Sequence, residues 1–446
     1  MLLQPENILT CLDRHQQLAG PRRYVVAFSG GLDSTVLLDL TRRALPRQRG
    51  ADLLAVHVDH NLQAASTAWA KQCEETATLF GVAYESCQVQ IETRQGESPE
   101  AAARNARYAA LCQYIGPGDV LMTGHHRDDQ LETVLLQLMR GAGVAGLAGM
   151  AECSRYQTGW RLRPLLSVDR VSLLAYAEQS QLQWIDDPTN TDSRYDRNFL
   201  RHEVVPLLGQ RWPGVAAAVA RSARHSAAAV RLLRELGSSD ASFATANADA
   251  LDLKRLGTLS VERQQNALRY WLLSQSLSIP TTAHLQQIDQ LIHATSAAGC
   301  VSWSGGEVRR YRNQIYAMQS LPAQPAADFH CAVSPDSVVT LPAGLGQVRC
   351  ATVADGLDPQ RYGDKLSLRF RAGGEKLRPA GSAHRRELRN LFQEAGIVPW
   401  MRDRIPLLYA GDRLAAVAGL WVEQDLAAGQ GAGGLGLIWE DHPPLY

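Results

Sequence analysis

Six residues constrain this chain more than any others. Ser29, Gly30, Gly31, Leu32, Asp33 and Ser34 lie between an apolar stretch, Tyr24 to Phe28, and a segment from Ser34 to Ala44 with Val36, Leu37 and Leu40 at helical spacing. A glycine pair at a strand-to-helix turn lets successive backbone N–H groups point inward. The helix amino end adds partial positive charge, so such a turn is built to hold an anion such as pyrophosphate. The two serine hydroxyls add donors. A bare phosphate would repel Asp33, which therefore makes sense as a magnesium ligand or an orienting group. The plainer alternative is a tight turn in which Ser and Asp act as helix caps.

Around this turn the chain alternates between short apolar runs and helical patterns. Leu53 to Val58, Ala83 to Ile91 and Val120 to Thr123 read as strands. Trp69 to Phe80, the segment opened by Ser98 and Pro99, and Arg127 to Arg140 read as helices. This alternation predicts an α/β fold, a doubly wound, mostly parallel sheet covered on both faces, with its ligand at the carboxyl ends of the strands. Trp212, Pro213 and Gly214 break the pattern ahead of a long Ala-rich helix from Val215. The expected division is a catalytic domain over residues 1–213, a mainly helical domain over 214–327 with short strands in Gly299 to Met318, and a small α+β domain over 341–446. The Pro- and Ala-rich stretch Leu321 to Ala327 reads as a linker.

The second concentrated motif is His125-His126-Arg127-Asp128-Asp129-Gln130-Leu131-Glu132. It ends the Val120 strand and starts the next helix, at the same sheet edge as the glycine turn. Acids in a first helical turn complement the helix dipole, which alone accounts for Asp128 and Asp129. It does not account for two adjacent histidines ahead of them. Arg104 and Arg107 lie three apart on one predicted helix, within reach of phosphates or simply solvated. Asp59 and His60 end the second strand, where the backbone can receive an adenine ring or only turn. There is no Gly-x-x-x-x-Gly-Lys-Ser/Thr, so γ-phosphate transfer by a P-loop enzyme is unsupported. Gly141, Gly143 and Gly146 follow a helix rather than a strand and read as a loop, not a dinucleotide site.

Composition rules out little but is consistent with this picture. Lys plus Arg (45) balance Asp plus Glu (45) in 446 residues, so any nucleic-acid partner must be attracted by local patches. Eight cysteines without a Cys-x-x-Cys pair read as reduced thiols. No apolar run is long enough to span a bilayer, and the expectation is a cytoplasmic, soluble protein without a membrane partner.

Together the motifs resemble those of the N-type PP-loop ATP pyrophosphatases, and most closely the tRNA(Ile)-lysidine synthetase family. The resemblance is carried by SGGLDS at Ser29, HVDHNL at His57, AARNARY at Ala102, GHHRDDQLET at Gly124, RGAGVAGLAGM at Arg140, RPLL at Arg163 and DDPTNTDSRYDRNFLRH at Asp186. It continues with LRFRAGGEKLRPAG and RRELRNLFQEAGIVPWMRDRIPLLY, so nearly the whole chain is covered. The resemblance implies ligation of free L-lysine to C2 of the wobble cytidine of tRNA(Ile) with anticodon CAU. ATP would first adenylate O2 of the base and release pyrophosphate, and lysine would then displace AMP. It also implies ATP and Mg2+ as cofactors. Ser29, Gly30, Gly31, Leu32, Asp33, Ser34 and His57 would hold ATP, with Asp33 on the metal. Arg104 or Arg107 would steady a phosphate, and His125 and Glu132 would form the reacting centre, with the proton acceptor between them left open. Asp128, Asp129, Asn190, Asp192, Arg197, Asn198 and Arg201 would line the route of lysine or tRNA.

An electropositive surface for tRNA is expected between Arg369 and Arg404, where nine Lys and Arg face four acids. Arg371, Lys376, Arg378, Arg385, Arg386 and Arg389 are the candidate phosphate contacts. The rivals are another PP-loop adenylator, such as a tRNA 2-thiolation enzyme or an amide-forming synthetase, and a module that holds ATP without chemistry. The missing Cys-x-x-Cys argues against thiolation, the basic carboxyl-terminal region against the amide-forming enzyme, and the intact polar residues of both motifs against the inert module. The oligomeric state stays open, a homodimer among the options.

Overall fold

A computed structural model of the chain describes residues 3–18, 20, 23–45, 52–59, 66–90, 99–186, 194–247, 250–278, 280–294, 298–326, 328–363, 365–429, 432–443 and 445. The chain divides into two compact units, Met1–Leu233 and Arg234–Tyr446.

The first unit opens with helix α1 (Glu6–Asp13) and then alternates β1 (Arg23–Ala27), α2 (Leu32–Ala44), β2 (Asp52–Asp59), α3 (Ser66–Leu79), β3 (Ala83–Gln88), α4 (Pro99–Cys112), β4 (Val120–Met122) and α5 (Arg127–Met139). A short helix α6 (Val144–Leu147), the hairpin β5 (Cys153–Tyr156) and β6 (Gly159–Leu162), and α7 (Arg170–Gln179) follow. The sheet order is β3-β2-β1-β4-β6-β5, with every pairing parallel except β5 with β6. The chain therefore builds outward from β1 through β2 and β3, then crosses back to place β4 on the other flank of β1. Order reverses between β1 and β4, and the loops leaving their carboxyl ends diverge there to leave a crevice.

Strand β1 is central because both of its faces are apolar. Tyr24 and Val26 join a core with Ile8 and Leu12 of α1, Val36, Leu37 and Leu40 of α2, and Leu173 of α7. Val25 points the other way, with Leu121 of β4, into a core closed by Leu111 of α4. Each of these fully buried aliphatic side chains is worth about 1.5–3 kcal/mol against exposure, which fixes strand register and thereby the positions of the loops. Val144–Leu147 winds into a turn of helix inside the glycine-containing stretch that was expected to be a loop. At the amino end, Arg14 and His15 both contact Glu152, at 3.0 and 2.9 Å, and tie α1 to the segment before β5.

Helix α8 (Asp196–Phe199) passes into a π-helical stretch, Leu200–Val204, then α9 (Val205–Arg211) and the long α10 (Val215–Ala244). The second unit holds two cores. One packs a five-stranded antiparallel sheet, with strands Thr245–Asn247, Ala250–Asp252, Gln314–Met318, Gly306–Tyr311 and Ala298–Trp303 in that order, against helices Val261–Ser274 and Thr282–His293. The other surrounds Leu368, Phe392, Met401 and Leu407. Its five-stranded sheet begins at His330–Val333, which pairs with Leu366–Arg369. Trp400 meets Tyr316 edge-on at 5.3 Å, and Arg404 donates to the carbonyl of Pro322 at 2.7 Å, so the two cores are stitched together. Among the described residues no helix is long and apolar enough to cross a membrane.

Candidate active site

The loop after β1 forms a tight cradle. Gly30 has φ +80°, and a Cβ there would lie 2.5 Å from Ile185 Cδ1 and 2.7 Å from Cys73 Sγ. No side chain fits, and only glycine adopts the turn without strain. The Gly30 carbonyl accepts from Thr35 Oγ1 at 3.2 Å and from the Ile185 N–H at 2.9 Å. Ser29 Oγ and Ser34 Oγ stand 3.1 Å apart, and Ser34 Oγ donates to the Gly31 carbonyl at 3.0 Å. Leu32, Asp33 and Ser34 form the first turn of α2, where N–H groups have no intrahelical acceptor. Such groups can donate to an anion.

The loop after β4 lies directly against this turn. A Cβ on Gly124 would sit 2.9 Å from the Asp33 carbonyl oxygen and 3.1 Å from the Ser34 nitrogen. The two motifs therefore share one crevice, backbone on backbone. His126 caps α5: its Nδ1 accepts from the Asp128 N–H at 3.2 Å, while its own N–H donates to Asp129 Oδ2 at 2.9 Å. Its Nε2 faces Asp129 Oδ2 at 3.4 Å and Asp33 Oδ2 at 3.6 Å. Burial alone would lower the His126 pKa, but the carboxylates of Asp128, Asp129 and Asp33 outweigh it and hold the imidazole above its ordinary value. The cap at Nδ1 favours a proton on Nε2, the edge that faces the acids.

Asp33 is the residue with an unmet need. Its Oδ1 is buried and has no hydrogen-bond partner. Burial raises its pKa, His126 pulls it down and Asp129 pushes it further up. His126 faces Oδ2, and the buried Oδ1 is the atom to which a hard divalent ion could bind.

On α5, one turn on, Asp129 and Glu132 meet a pair of arginines from α8 and the π-helical stretch. Arg197 Nε reaches Glu132 Oε2 at 2.6 Å and its Nη2 reaches Asp129 Oδ1 at 2.9 Å. Arg201 Nε reaches Glu132 Oε1 at 2.6 Å and its Nη2 reaches Asp129 Oδ1 at 3.0 Å. Glu132 is 2% exposed, and both its oxygens are taken. Asp129 is held below its usual range: burial raises it, and the charges of His126 and Arg197 more than offset that. Asn198 is half-buried on α8, next to Arg197 in the chain. Asn190 and Asp192 lie outside the described residues. Asp128 accepts from the Arg170 N–H at 2.9 Å, so one of its oxygens anchors the start of α7.

His125 lies beside this network with Nδ1 2.9 Å from Thr123 Oγ1. Burial pushes its pKa down to about 3, with Arg163, Arg197 and Arg104 adding to the effect against Asp129. It is an uncharged imidazole at neutral pH. His57, near the end of β2, is buried with Nδ1 3.0 Å from the Phe28 carbonyl, which fixes a proton on Nδ1 and leaves Nε2 as an acceptor. Burial lowers its pKa too, and Arg107 contributes. The two candidate arginines of α4 thus differ: the charge of Arg107 is felt at His57, that of Arg104 at His125. Sequence reading passed over Gly124, Ile185 and Cys73 as parts of the cradle. Only the glycine inside GHHRDDQLET carried a signal, as a place where another backbone can approach closely.

In the second unit the expected basic surface is largely neutralised from within. Arg371 pairs with Asp403 at 2.8 Å, Arg378 with Asp425, Arg385 with Glu423 at 3.1 Å and Arg386 with Glu394. Lys376 and Arg389 are exposed and make no ion pair among the described residues.

Comparison with known proteins agrees in three places along the chain. A PP-loop domain model matches residues 6–208, a TilS substrate binding domain model 251–316 and a TilS substrate C-terminal domain model 366–439. The chain is 41% identical to the tRNA(Ile)-lysidine synthase of Methylococcus capsulatus, over 91% of this chain and 93% of that protein. It is 41% identical to that of Alkalilimnicola ehrlichii, over 99% and 98%, and 40% identical to that of Photobacterium profundum, over 90% and 93%.

Proposed function

The chain belongs to the tRNA(Ile)-lysidine synthase family, an ATP-using family of enzymes that form lysidine on tRNA(Ile), and we propose that it does so by adenylating the wobble cytidine in the crevice between β1 and β4. The substrate in this reading is tRNA(Ile) with anticodon CAU, the nitrogen donor is free L-lysine, and the products besides modified tRNA are AMP and pyrophosphate. The contact of Gly124 with Asp33 and Ser34 is the observation that carries it, because it brings the anion cradle beside His125.

The N–H groups of the α2 first turn and the hydroxyls of Ser29 and Ser34 would hold phosphate oxygens of ATP, and His57 would face its adenine. Asp33, with its unpartnered Oδ1, would hold magnesium, which offsets charge on the departing pyrophosphate. Cytosine O2 is a poor leaving group and becomes a good one as AMP. The lysine amine, with a reference pKa near ~10.4, must shed a proton in the course of bonding to C2. His125 is the acceptor in this reading: its Nε2 is not used by Thr123, and polyanionic substrates beside it would raise its basicity. Glu132 is a positioning residue, since its oxygens already hold Arg197 and Arg201 toward the crevice. The division into a catalytic region over 1–213, a positioning region over 214–327 and an acceptor-end region over 341–446 is part of the proposal. Incubation with ATP, magnesium, labelled lysine and CAU-anticodon tRNA tests it. Label should enter that tRNA alone, and Asp33→Ala should abolish pyrophosphate release; normal release by that variant would refute the role of Asp33.

A further inference from the structure

Beyond the crevice, on the far flank of His125, three arginines gather with no carboxylate partner among the described residues: Arg163 is buried, Arg161 half-buried and Arg104 exposed. Arg163 is the first residue past β6 and is 2% exposed. The Thr123 N–H donates to the Leu162 carbonyl at 3.1 Å, which sets Arg163 alongside the loop that carries His125. Arg161 and Arg163 are two apart on an extended strand end and so point to one face. That is the face covered by α4, where Tyr108 of α4 meets Tyr156 of β5 with ring centroids 6.0 Å apart. Arg104 lies over the Tyr108 ring at 5.6 Å, and Arg161 over the same ring at 5.3 Å.

No carboxylate among the described residues pairs with any of the three. Arg161 reaches Ser154 Oγ at 3.4 Å, and Arg163 Nη1 donates to the Ala151 carbonyl at 2.6 Å. The Nε groups of both are buried and have no hydrogen-bond partner. Burial and the neighbouring charges of Arg161 and Arg104 push the Arg163 pKa down to about 10. Arg197 and Arg201, a short distance away, show the contrast: acids saturate them. A buried cation such as Arg163 is costly without a counterion and is retained where an anion completes it.

We propose that Arg104, Arg161 and Arg163 form a second phosphate site, distinct from the glycine turn, that takes a backbone phosphodiester of the RNA substrate next to the target nucleotide. This rests on the reading of the protein as a tRNA-modifying enzyme. The glycine turn leaves β1 and Arg163 leaves β6, two strand spacings or about 10 Å apart, with β4 and His125 between them. A nucleotide whose phosphates sit in the turn would have its reacting end toward His125, so the far flank faces the other reactant. Guanidinium forks match phosphate geometry, and stacking on Tyr108 keeps two of them oriented without consuming their donors.

Arg163→Met, with Arg161→Met as the second variant in case the buried substitution prevents folding, separates the sources of phosphate. KM for tRNA should rise about ten- to a hundredfold, as for a lost phosphate or base contact of one to a few kcal/mol. The slope of log binding constant against log salt for the RNA should shrink in magnitude by about 0.7–0.9 per lost contact. KM for ATP and inhibition by added pyrophosphate should stay within about twofold of the parent, and Arg163→Lys should recover part of the loss. A rise in KM for ATP with unchanged RNA binding would assign the trio to the triphosphate and overturn the proposal. So would folded variants indistinguishable from the parent. Failure of the parent protein itself to bind or modify the tRNA would instead count against the functional reading on which the proposal rests.

Discussion

Gly124 packs its α-carbon against the backbone of Asp33, so closely that one added methyl group would meet the carbonyl oxygen at 2.9 Å. The neighbour is backbone, which has no rotamer to give, and the clash must be relieved by moving one loop. Gly124→Ala should therefore separate the cradle from His125. Overpacking of this kind costs about 1–3 kcal/mol, and a displaced reacting group costs about 100-fold in rate. The expected result is a folded protein with a lowered melting temperature and tRNA-dependent pyrophosphate release reduced by about two orders of magnitude. Parent-like release would show that the two loops need not touch.

Asp33→Asn separates function from stability. Burial disfavours the charged form of Asp33 in the fold, as its raised pKa shows, so the amide removes a strained charge while keeping the shape. Melting temperature should hold or rise, whereas pyrophosphate release at saturating magnesium should fall at least about 100-fold. A variant that loses stability in step with activity would mean that the carboxylate is a structural partner of His126 rather than a metal ligand.

Glu132 distinguishes a proton acceptor from a scaffold. Removing one partner of a buried ion-pair network costs about 3–5 kcal/mol, and Glu132→Ala would take from Arg197 and Arg201 one of the two carboxylates they share, keeping Asp129. Glu132→Gln should lower kcat while leaving the shape of the pH–rate profile intact. Disappearance of the acid limb of that profile in Glu132→Gln would instead make Glu132 the base. Coupling between Glu132→Gln and Arg201→Lys, measured by a double-mutant cycle, should exceed about 0.5 kcal/mol.

How much of this was legible depends on distance along the chain. The glycine turn and the HHRDDQLE segment are each a continuous run of residues, and strand–helix alternation alone puts both at one sheet edge. The partners that define their chemistry are remote. Arg197 and Arg201 reach back to Glu132 from more than sixty positions away, and no spacing rule ties them to α5. Arg161 and Arg163 are merely alternate residues of a strand end until Tyr108 of α4 is folded onto them. The strands Thr245–Asn247 and Ala250–Asp252 are too short to show a period of two; Ala250–Asp252 is placed by pairing with Gln314–Met318, and Thr245–Asn247 by pairing with Ala250–Asp252. Local pattern carries the nucleotide end of the site, and tertiary contact carries the rest.

The low pKa of His125 makes a prediction about acid stability. Its folded value, about 3, lies below the ordinary histidine value of 6.5, so the unfolded chain binds a proton that the folded chain refuses between those limits. Unfolding free energy then rises with pH across that window, and the contribution is lost as pH falls below 6.5. His126 works the other way, its raised value adding stability that fades as pH climbs past it. His125→Gln should flatten the dependence of melting temperature on pH between about 5 and 6.5, whereas His126→Gln should not remove it. An unchanged slope in His125→Gln would show that the imidazole is already solvated in the fold.

Charge counting over Arg369 to Arg404 overstates the surface available to RNA. Glu423, fully buried, and Asp425 gather Arg378, Arg385 and Arg413 into one network, and Glu394 holds Arg386. An arginine already bound to a carboxylate gains less from a phosphate, because contact must first break or share the existing pair. Lys376 and Arg389 have no such competitor among the described residues. Lys376→Ala and Arg389→Ala should each weaken tRNA binding at low salt and cut the magnitude of the salt slope by about 0.7–0.9, with melting temperature unchanged. Arg385→Ala should do the reverse, lowering stability by leaving buried Glu423 with one partner fewer while changing the salt slope little. If Arg385→Ala reduced the slope as much as Lys376→Ala, the internal pairs would have to open on RNA binding, and the acceptor surface would extend over the whole basic segment.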